Sequence, residues 1–311
     1  MSSRTFLNKD FSCGKQFPSP SLFDKREPVV RIATFGDLHL APTLLSDRFK
    51  NEEEQLLRFD DHLTRSHDKI VLMGDIYQTD YGSRPGSKTE MLEKAMERYS
   101  RITRRWNSPS HAMIFGNHDL VTERSMRAVK QICLEDKGFK IWLIHGHQFV
   151  PLILKGPVPF FFTCIVGKLR RLGFKRVADF LEGRFYMACQ RLTHSLGSPR
   201  FAARNALMKG KYDTVIMGHT HQPECVCVGK GIYANSGACS PEHLKYVSID
   251  TLSREVELRM FQRSNESQTL VSLSAERCSS VSHSPHDRVL PAGNAVSTCQ
   301  MTHLGEGLPP R

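Results

Sequence analysis

The feature that most constrains this 311-residue chain is a pattern met five times. A short apolar run ends, each time, in a turn that carries Asp, Asn or His. The turns are Gly36-Asp37-Leu38-His39, Gly74-Asp75, Gly116-Asn117-His118-Asp119, His145-Gly146-His147 and Gly218-His219-Thr220-His221. The runs before them, 29–35, 69–73, 111–115, 139–144 and 211–217, have the length and apolar character of buried strands. In α/β sheets, ligands collect at the carboxyl ends of strands. Five such ends on one rim would gather these side chains around one site.

Helical periodicity fills the gaps in the first half. Residues 52–64 carry acids in the first turn and Leu56, Leu57 and Leu63 on one face. Ser87 and Glu90 have capping-box spacing and open a helix to about residue 106. A further helix is expected over 123–137, stopped by Gly138. The second half reads as short strands at 224–228, 231–235, 244–249 and 255–261. Together these predict an α/β fold built as a layered sandwich.

Composition sets the limits. Hydrophobic residues at 40% and charged residues at 24% are ordinary for a soluble globular chain with a sizeable core. A net charge of +11 favours anionic partners. Nucleic acid is disfavoured among them. The basic residues cluster around 98–105 and within 149–209 rather than along a stripe with interleaved aromatics. Nine cysteines without zinc-finger spacing (Cys225-x-Cys227 is too close) read as free thiols in a reducing, cytoplasmic setting. Residues 1–28 lack the sustained apolar core of a secretory signal and read as a flexible arm. Residues 264–311, rich in Ser, Pro and His, read as a disordered tail. No run approaches the ~20 apolar residues of a membrane-spanning helix.

Asp37, His39, Asp75, Asn117, His145, His219 and His221 form a mixed oxygen and nitrogen donor set. Such a set suits Mn, Fe, Zn or Co better than Ca or Mg. Without a thiolate it is not a structural zinc site. Seven donors exceed the needs of one ion. One bridging carboxylate shared by two divalent ions uses them all, with three terminal ligands for each. Two-metal sites clamp the attacking and leaving oxygens of an in-line phosphoryl displacement. Water held between the ions loses a proton near neutral pH and becomes the nucleophile. His118 is not needed as a ligand and can protonate the leaving oxygen.

The five motifs, in this order, resemble the signatures of the calcineurin-like metallophosphoesterases over about residues 29–261. The resemblance implies a four-layer α/β/β/α sandwich with two divalent ions, Mn foremost. It implies that Asp37, His39 and His221 hold one ion, that Asn117, His145 and His219 hold the other, and that Asp75 bridges. It makes His118 the catalytic histidine, with Asp119 orienting it, and leaves His147 outside the ligand scheme, behind the ligands or facing substrate rather than as a plain loop histidine. Gly36 and Gln78 depart from the residues common at their positions, and neither removes a ligand. Some members of the superfamily are nucleases or cyclic phosphodiesterases, and some are catalytically silent scaffolds. The latter are marked by lost ligands, and here every position is filled.

His145 and His219 are 74 residues apart, and residues 149–209 form a helical insertion. Phe160, Phe161, Phe162, Ile165 and Val166 precede Lys168, Arg170, Arg171, Lys175 and Arg176; Val177, Phe180, Leu181, Phe185 and Met187 follow at near-helical spacing. Two readings fit: a lid whose apolar face meets acyl chains or a membrane surface, with Arg170 and Arg171 meeting substrate phosphates, or an insertion that packs on the sandwich with a solvated basic face. The layout is similar to the UDP-2,3-diacylglucosamine hydrolases, which cleave a lipid-linked pyrophosphate. The expected substrate is therefore a phosphate-containing small molecule or a lipid-linked one.

Overall fold

A computed structural model describes residues 31–43, 47–50, 52–80, 88–150, 157–196, 199–264 and 266–280. The chain runs β1 (Arg31–Phe35), α1 (Glu53–Ser66), β2 (Lys69–Leu72), α2 (Lys88–Arg98), α3 (Ser100–Trp106) and β3 (His111–Met113). It continues through α4 (Thr122–Ser125), β4 (Gln131–Asp136) and β5 (Phe139–Ile144) to three helices, α5 (Pro157–Arg171), α6 (Lys175–Leu196) and α7 (Pro199–Met208). Then come β6 (Thr214–Met217), β7 (Glu224–Val228), β8 (Gly231–Asn235), β9 (Leu244–Asp250), β10 (Glu255–Phe261), β11 (Ser267–Ser274) and α8 (Ala275–Ser280).

The strands form two sheets, in the orders β11-β10-β9-β1-β2-β3 and β4-β5-β6-β8-β7. β1, β2 and β3 are mutually parallel, as are β5, β6 and β8. Phe35 pairs with Leu72, and Leu72 with Met113, so three of the five turns leave the first sheet at one level. Leu143 pairs with Ile216 in the second sheet, which levels the other two.

Three apolar clusters define four layers. Ile32, Val71, Val247 and Ile249 of the first sheet meet Ile141, Leu143, Ile216 and Ile232 of the second. On the outer face of the first sheet, Phe35 and Leu72 pack with Leu57 and Phe59 of α1 and Ile102 and Trp106 of α3. On the outer face of the second, Trp142, Val215 and Tyr233 take Ala203, Ala206 and Leu207 of α7. The sandwich expected from the motifs is the fold.

Five expectations change. Residues 123–137 are not one helix: α4 ends at Ser125, and β4 pairs antiparallel with β5. Lys137 and Gly138 both have positive φ, 47° and 79°, and close a two-residue hairpin. Gly138 is therefore a hairpin residue rather than a helix stop. The helix expected to residue 106 breaks at the buried Tyr99 into α2 and α3.

Residues 267–280, expected within a disordered tail, form β11 and α8. β11 extends the first sheet by pairing with β10, and α8 follows it. This ordering joins Cys227 of β7 to Cys278 of α8 in a disulfide, with Cα atoms 5.4 Å apart, so these two thiols are not free as expected. The insertion is also smaller than 149–209, because α7 belongs to the outer layer. Residues 1–28 and 281–311 lie outside the described residues.

Candidate metal centre

Each motif turn leaves its strand by a sharp reversal. Asp37, His39, Asp75, His219 and His221 all have positive φ, between 52° and 68°. Such backbone is uncommon outside glycine and costs on the order of 1–3 kcal/mol per residue. Five of the seven predicted ligands thus carry strain that the surrounding packing holds in place. Main-chain bonds zip the first two turns together: Asp37 N–H to Gly74 O at 3.0 Å, His39 N–H to Asp75 O at 3.0 Å and Leu40 N–H to Ile76 O at 2.8 Å.

The motif glycines are spatial necessities. A Cβ on Gly116 would stand 2.0 Å from Asp75 Oδ1. One on Gly74, whose φ is +94°, would stand 2.7 Å from His145 Nδ1.

These turns bring the predicted ligands into two groups that share one carboxylate. Ligand atoms of Asp37, His39, Asp75 and His221 lie within 4.8 Å of one another, and so do those of Asp75, His145 and His219. Asn117 stands in the turn whose His118 N–H donates to Asp75 Oδ1 at 2.8 Å.

The donor atoms fit cations. Asn117 Oδ1 is buried without a hydrogen-bond partner, while Asp37 Oδ1 faces His221 Nε2 at 3.3 Å and His145 Nε2 faces Asp75 Oδ2 at 3.2 Å. His39 Nδ1–H donates to Gln78 Oε1 at 2.9 Å, and His145 Nδ1–H to Met73 O at 2.7 Å. Each bond leaves Nε2 as a lone-pair donor, the usual outer arrangement of ligating histidines. His39 Nε2 then faces His221 Nε2 at 3.2 Å, close enough for both nitrogens to reach one cation.

Electrostatics point the same way. Burial opposes charge on Asp37 and Asp75, yet the neighbouring imidazoles, His221 and His145 foremost, hold both carboxyls below their usual range. Burial also opposes charge on His145, but Asp75 and Asp37 outweigh it and raise its pKa to about 9. The cluster attracts positive charge, and two ions would supply it. His39 and His219 are pushed down to about 3, first by burial and then by the neighbouring rings of His118 and His145 respectively, so both stay neutral and able to ligate.

His118 lies beside this cluster, its ring centroid 5.0 Å from that of His39. Its Nδ1–H faces Asp80 Oδ2 at 2.8 Å, and Asp80 is in turn paired with Lys88. Burial opposes protonation of His118, but Asp75 and Asp80 outweigh it and raise its pKa to about 9.

Asp119 does not orient His118 as the resemblance implied. Its buried carboxylate accepts the N–H groups of Gly116, Asp75, Ile76 and Tyr77, at 2.7, 3.3, 2.8 and 3.3 Å, and so ties two motif turns together. His147 sits in a 3-10 turn, His147–Phe149, with its ring 5.4 Å from that of His145 and 6.5 Å from that of His219. Arg170 is committed elsewhere: it pairs with Asp179 at 2.8 Å and with Glu182, across the α5–α6 hairpin. The side chain of Arg171 lies outside the described residues.

Two residues, Asp80 and Asn235, were missed in sequence, and Gln78 was noted only as a departure, without its bond to His39. Gln78 and Asp80 lie beyond Gly74-Asp75 in a stretch that looks like polar loop. Asn235 ends β8; its Nδ2 donates to Gly218 O at 2.8 Å and Thr220 Oγ1 at 3.0 Å, and its Oδ1 accepts Gly237 N–H at 2.8 Å, bracing the last motif. The signal was present as a sixth strand followed by a polar turn, Asn235-Ser236-Gly237.

A predicted phosphoesterase from Streptococcus pneumoniae is similar in structure at 15% identity, over 79% of this chain and 99% of its own, with a TM-score of 0.38. Vps29 from Entamoeba histolytica, complexed with Zn²⁺, gives 14%, 79%, 99% and 0.39 in the same terms. An archaeal phosphodiesterase gives 15%, 78%, 99% and 0.35. No curated protein matches the sequence. The calcineurin-like phosphoesterase model matches residues 30–223, the span that holds all five motifs, and the chain belongs to that family.

Proposed function

We propose that this protein is a phosphoric ester hydrolase working with two divalent ions, Mn foremost and Fe, Zn or Co as alternatives. Asp37, His39 and His221 would hold one ion, Asn117, His145 and His219 the other, with Asp75 common to both. The observation that carries the reading is the single buried carboxylate, Asp75, shared by two groups of donors. Bound ions would supply Lewis acidity toward the phosphoryl oxygens and an activated water.

The chain's own residues do the rest. Asp80 fixes the Nδ1 proton of His118 and leaves the Nε2 proton for the leaving oxygen. Gln78 and Met73 keep His39 and His145 in the tautomer that offers Nε2. His147 borders the second donor group, where it can meet a substrate oxygen. The substrate is a phosphate ester or pyrophosphate, with a UDP-diacylglucosamine-like lipid-linked nucleotide as the first candidate, because an apolar and basic helical hairpin separates the last two motifs.

The test is hydrolysis by the Mn-loaded protein, with bound metal counted by mass spectrometry. p-Nitrophenyl phosphate, its bis ester, UDP-diacylglucosamine, a cyclic nucleotide and DNA form the panel. Asp75→Asn is expected to reduce bound metal and to lower kcat by more than roughly 100-fold. Unchanged activity in that variant, or no hydrolysis across the panel with two ions bound, would overturn the reading.

A further inference from the structure

The α5–α6 hairpin carries a feature that the metal centre does not use. Val166 of α5 and Ala178 of α6 are buried, and the two helices meet through stacked rings of Phe162 and Phe185 with centroids 4.2 Å apart. The outer side is unlike an ordinary solvent face. Phe161, Ile165, Leu172, Phe174, Val177 and Phe180 are 49–66% exposed. On α5 they recur as Phe161 and Ile165, with Lys168 and then Leu172 continuing the same helical spacing. Past the Gly173 turn, Phe174, Val177 and Phe180 recur at intervals of three, followed by Arg184.

This concentration is specific to the hairpin. It holds six of the eleven exposed large hydrophobic side chains among the described residues. Contiguous exposed apolar surface rimmed by polar groups marks an interaction site. Charge identifies the occupant. Residues 157–196 contain seven Lys or Arg and two acids, Asp179 and Glu182. Both acids are taken by Arg170. Lys168, Lys175, Arg176 and Arg184 remain exposed beside the apolar stripe.

We infer that this face docks on a membrane surface containing anionic phospholipid, the Phe and Leu side chains entering the interface and the cations meeting lipid phosphates. Aromatic and aliphatic residues flanked by Lys and Arg, on helices too polar to span, fit an interfacial site. No helix among the described residues is long and apolar enough to cross a membrane. A protein partner would need acidic groups set against cations scattered along both helices, whereas a fluid lipid surface arranges its phosphates around them. The inference is independent of the proposed reaction.

The test is co-sedimentation of the full chain with phosphatidylcholine vesicles, with and without about one-third phosphatidylglycerol. Binding should appear with the anionic lipid and weaken with salt. Lys175→Gln with Arg176→Gln should lower the partition coefficient roughly 25-fold, at about fivefold per cation. Phe161→Ser, Phe174→Ser and Phe180→Ser together should lower it more than roughly 100-fold. These side chains are exposed, so melting temperatures should not move.

Three outcomes would overturn the inference: equal binding to both vesicle types, no binding to either, or binding that the triple Phe variant leaves intact. Sedimentation velocity gives the competing answer. A dimer that the triple variant dissociates, without vesicle binding, would make this face a contact between copies of the chain.

Discussion

At the scale of single residues, the site depends on groups that hold other groups. His118 can donate a proton only while its ring is aimed, and the carboxylate that aims it is Asp80. Asp119, adjacent in sequence, secures four main-chain N–H groups instead. The two acids should therefore separate experimentally. Asp80→Asn is expected to lower kcat roughly 10- to 100-fold, with two ions still bound and KM little changed. Asp80→Glu should recover part of the loss. Asp119→Asn should lower the unfolding free energy, because buried donors lose a charged acceptor. Metal counting, steady-state kinetics and urea unfolding of the three variants distinguish the roles.

At the scale of elements, α1 is bound to the first sheet by its C-cap. His67 Nε2 lies 2.9 Å from Ser248 Oγ of β9, and Nδ1 lies 3.2 Å from Leu63 O. Burial first, and nearby positive groups after it, push the His67 pKa from 6.5 to about 4. The unfolded chain therefore takes up this proton at a higher pH than the fold does. Stability from neutral His67 is complete above about pH 6.5 and is lost as pH falls toward about 4. The urea midpoint of the wild-type chain should drop more between roughly pH 7 and pH 5 than that of His67→Gln. An equal drop in both would remove His67 as the cause.

At the scale of the whole molecule, the donor cluster spans the sandwich. Asp37, His39, Asp75 and Asn117 follow strands of the first sheet; His145, His219 and His221 follow strands of the second. Bound ions would therefore link the sheets. Ligand binding stabilises by about 4 kcal/mol per site at a thousandfold excess over Kd. Chelation is expected to lower Tm by roughly 10 °C or more, at about 2–4 °C per kcal/mol for a chain of this size. Calorimetry of the metal-loaded and chelated protein measures this, and Asp75→Asn should shrink the difference.

The readings that held and those that changed divide by range. The motif turns were legible because each sits in a few consecutive residues, with its glycine and its strand beside it. The 123–137 stretch misled because Ile132 and Leu134, read as helix, alternate as a hairpin strand once Lys137 and Gly138 turn the chain. β11 misled because a polar edge strand has weak sequence contrast and is ordered by pairing with β10. Asp80 and Arg170 show the same limit. Their partners, His118 and the Asp179–Glu182 pair, are chosen by how loops and helices cross.

By itself the sequence determined the chemistry: seven donors, one histidine to spare, five strand-end turns and their order. Glycines at 74 and 116 and apolar runs of strand length are local requirements, and local requirements are written in consecutive residues. Only the tertiary structure decided which carboxylate is common to both donor groups in space, which acid serves His118 and which served the backbone, and which basic side chains stay exposed. Those depend on distances across two sheets, where burial and a few ångströms of separation set the charge each group can keep.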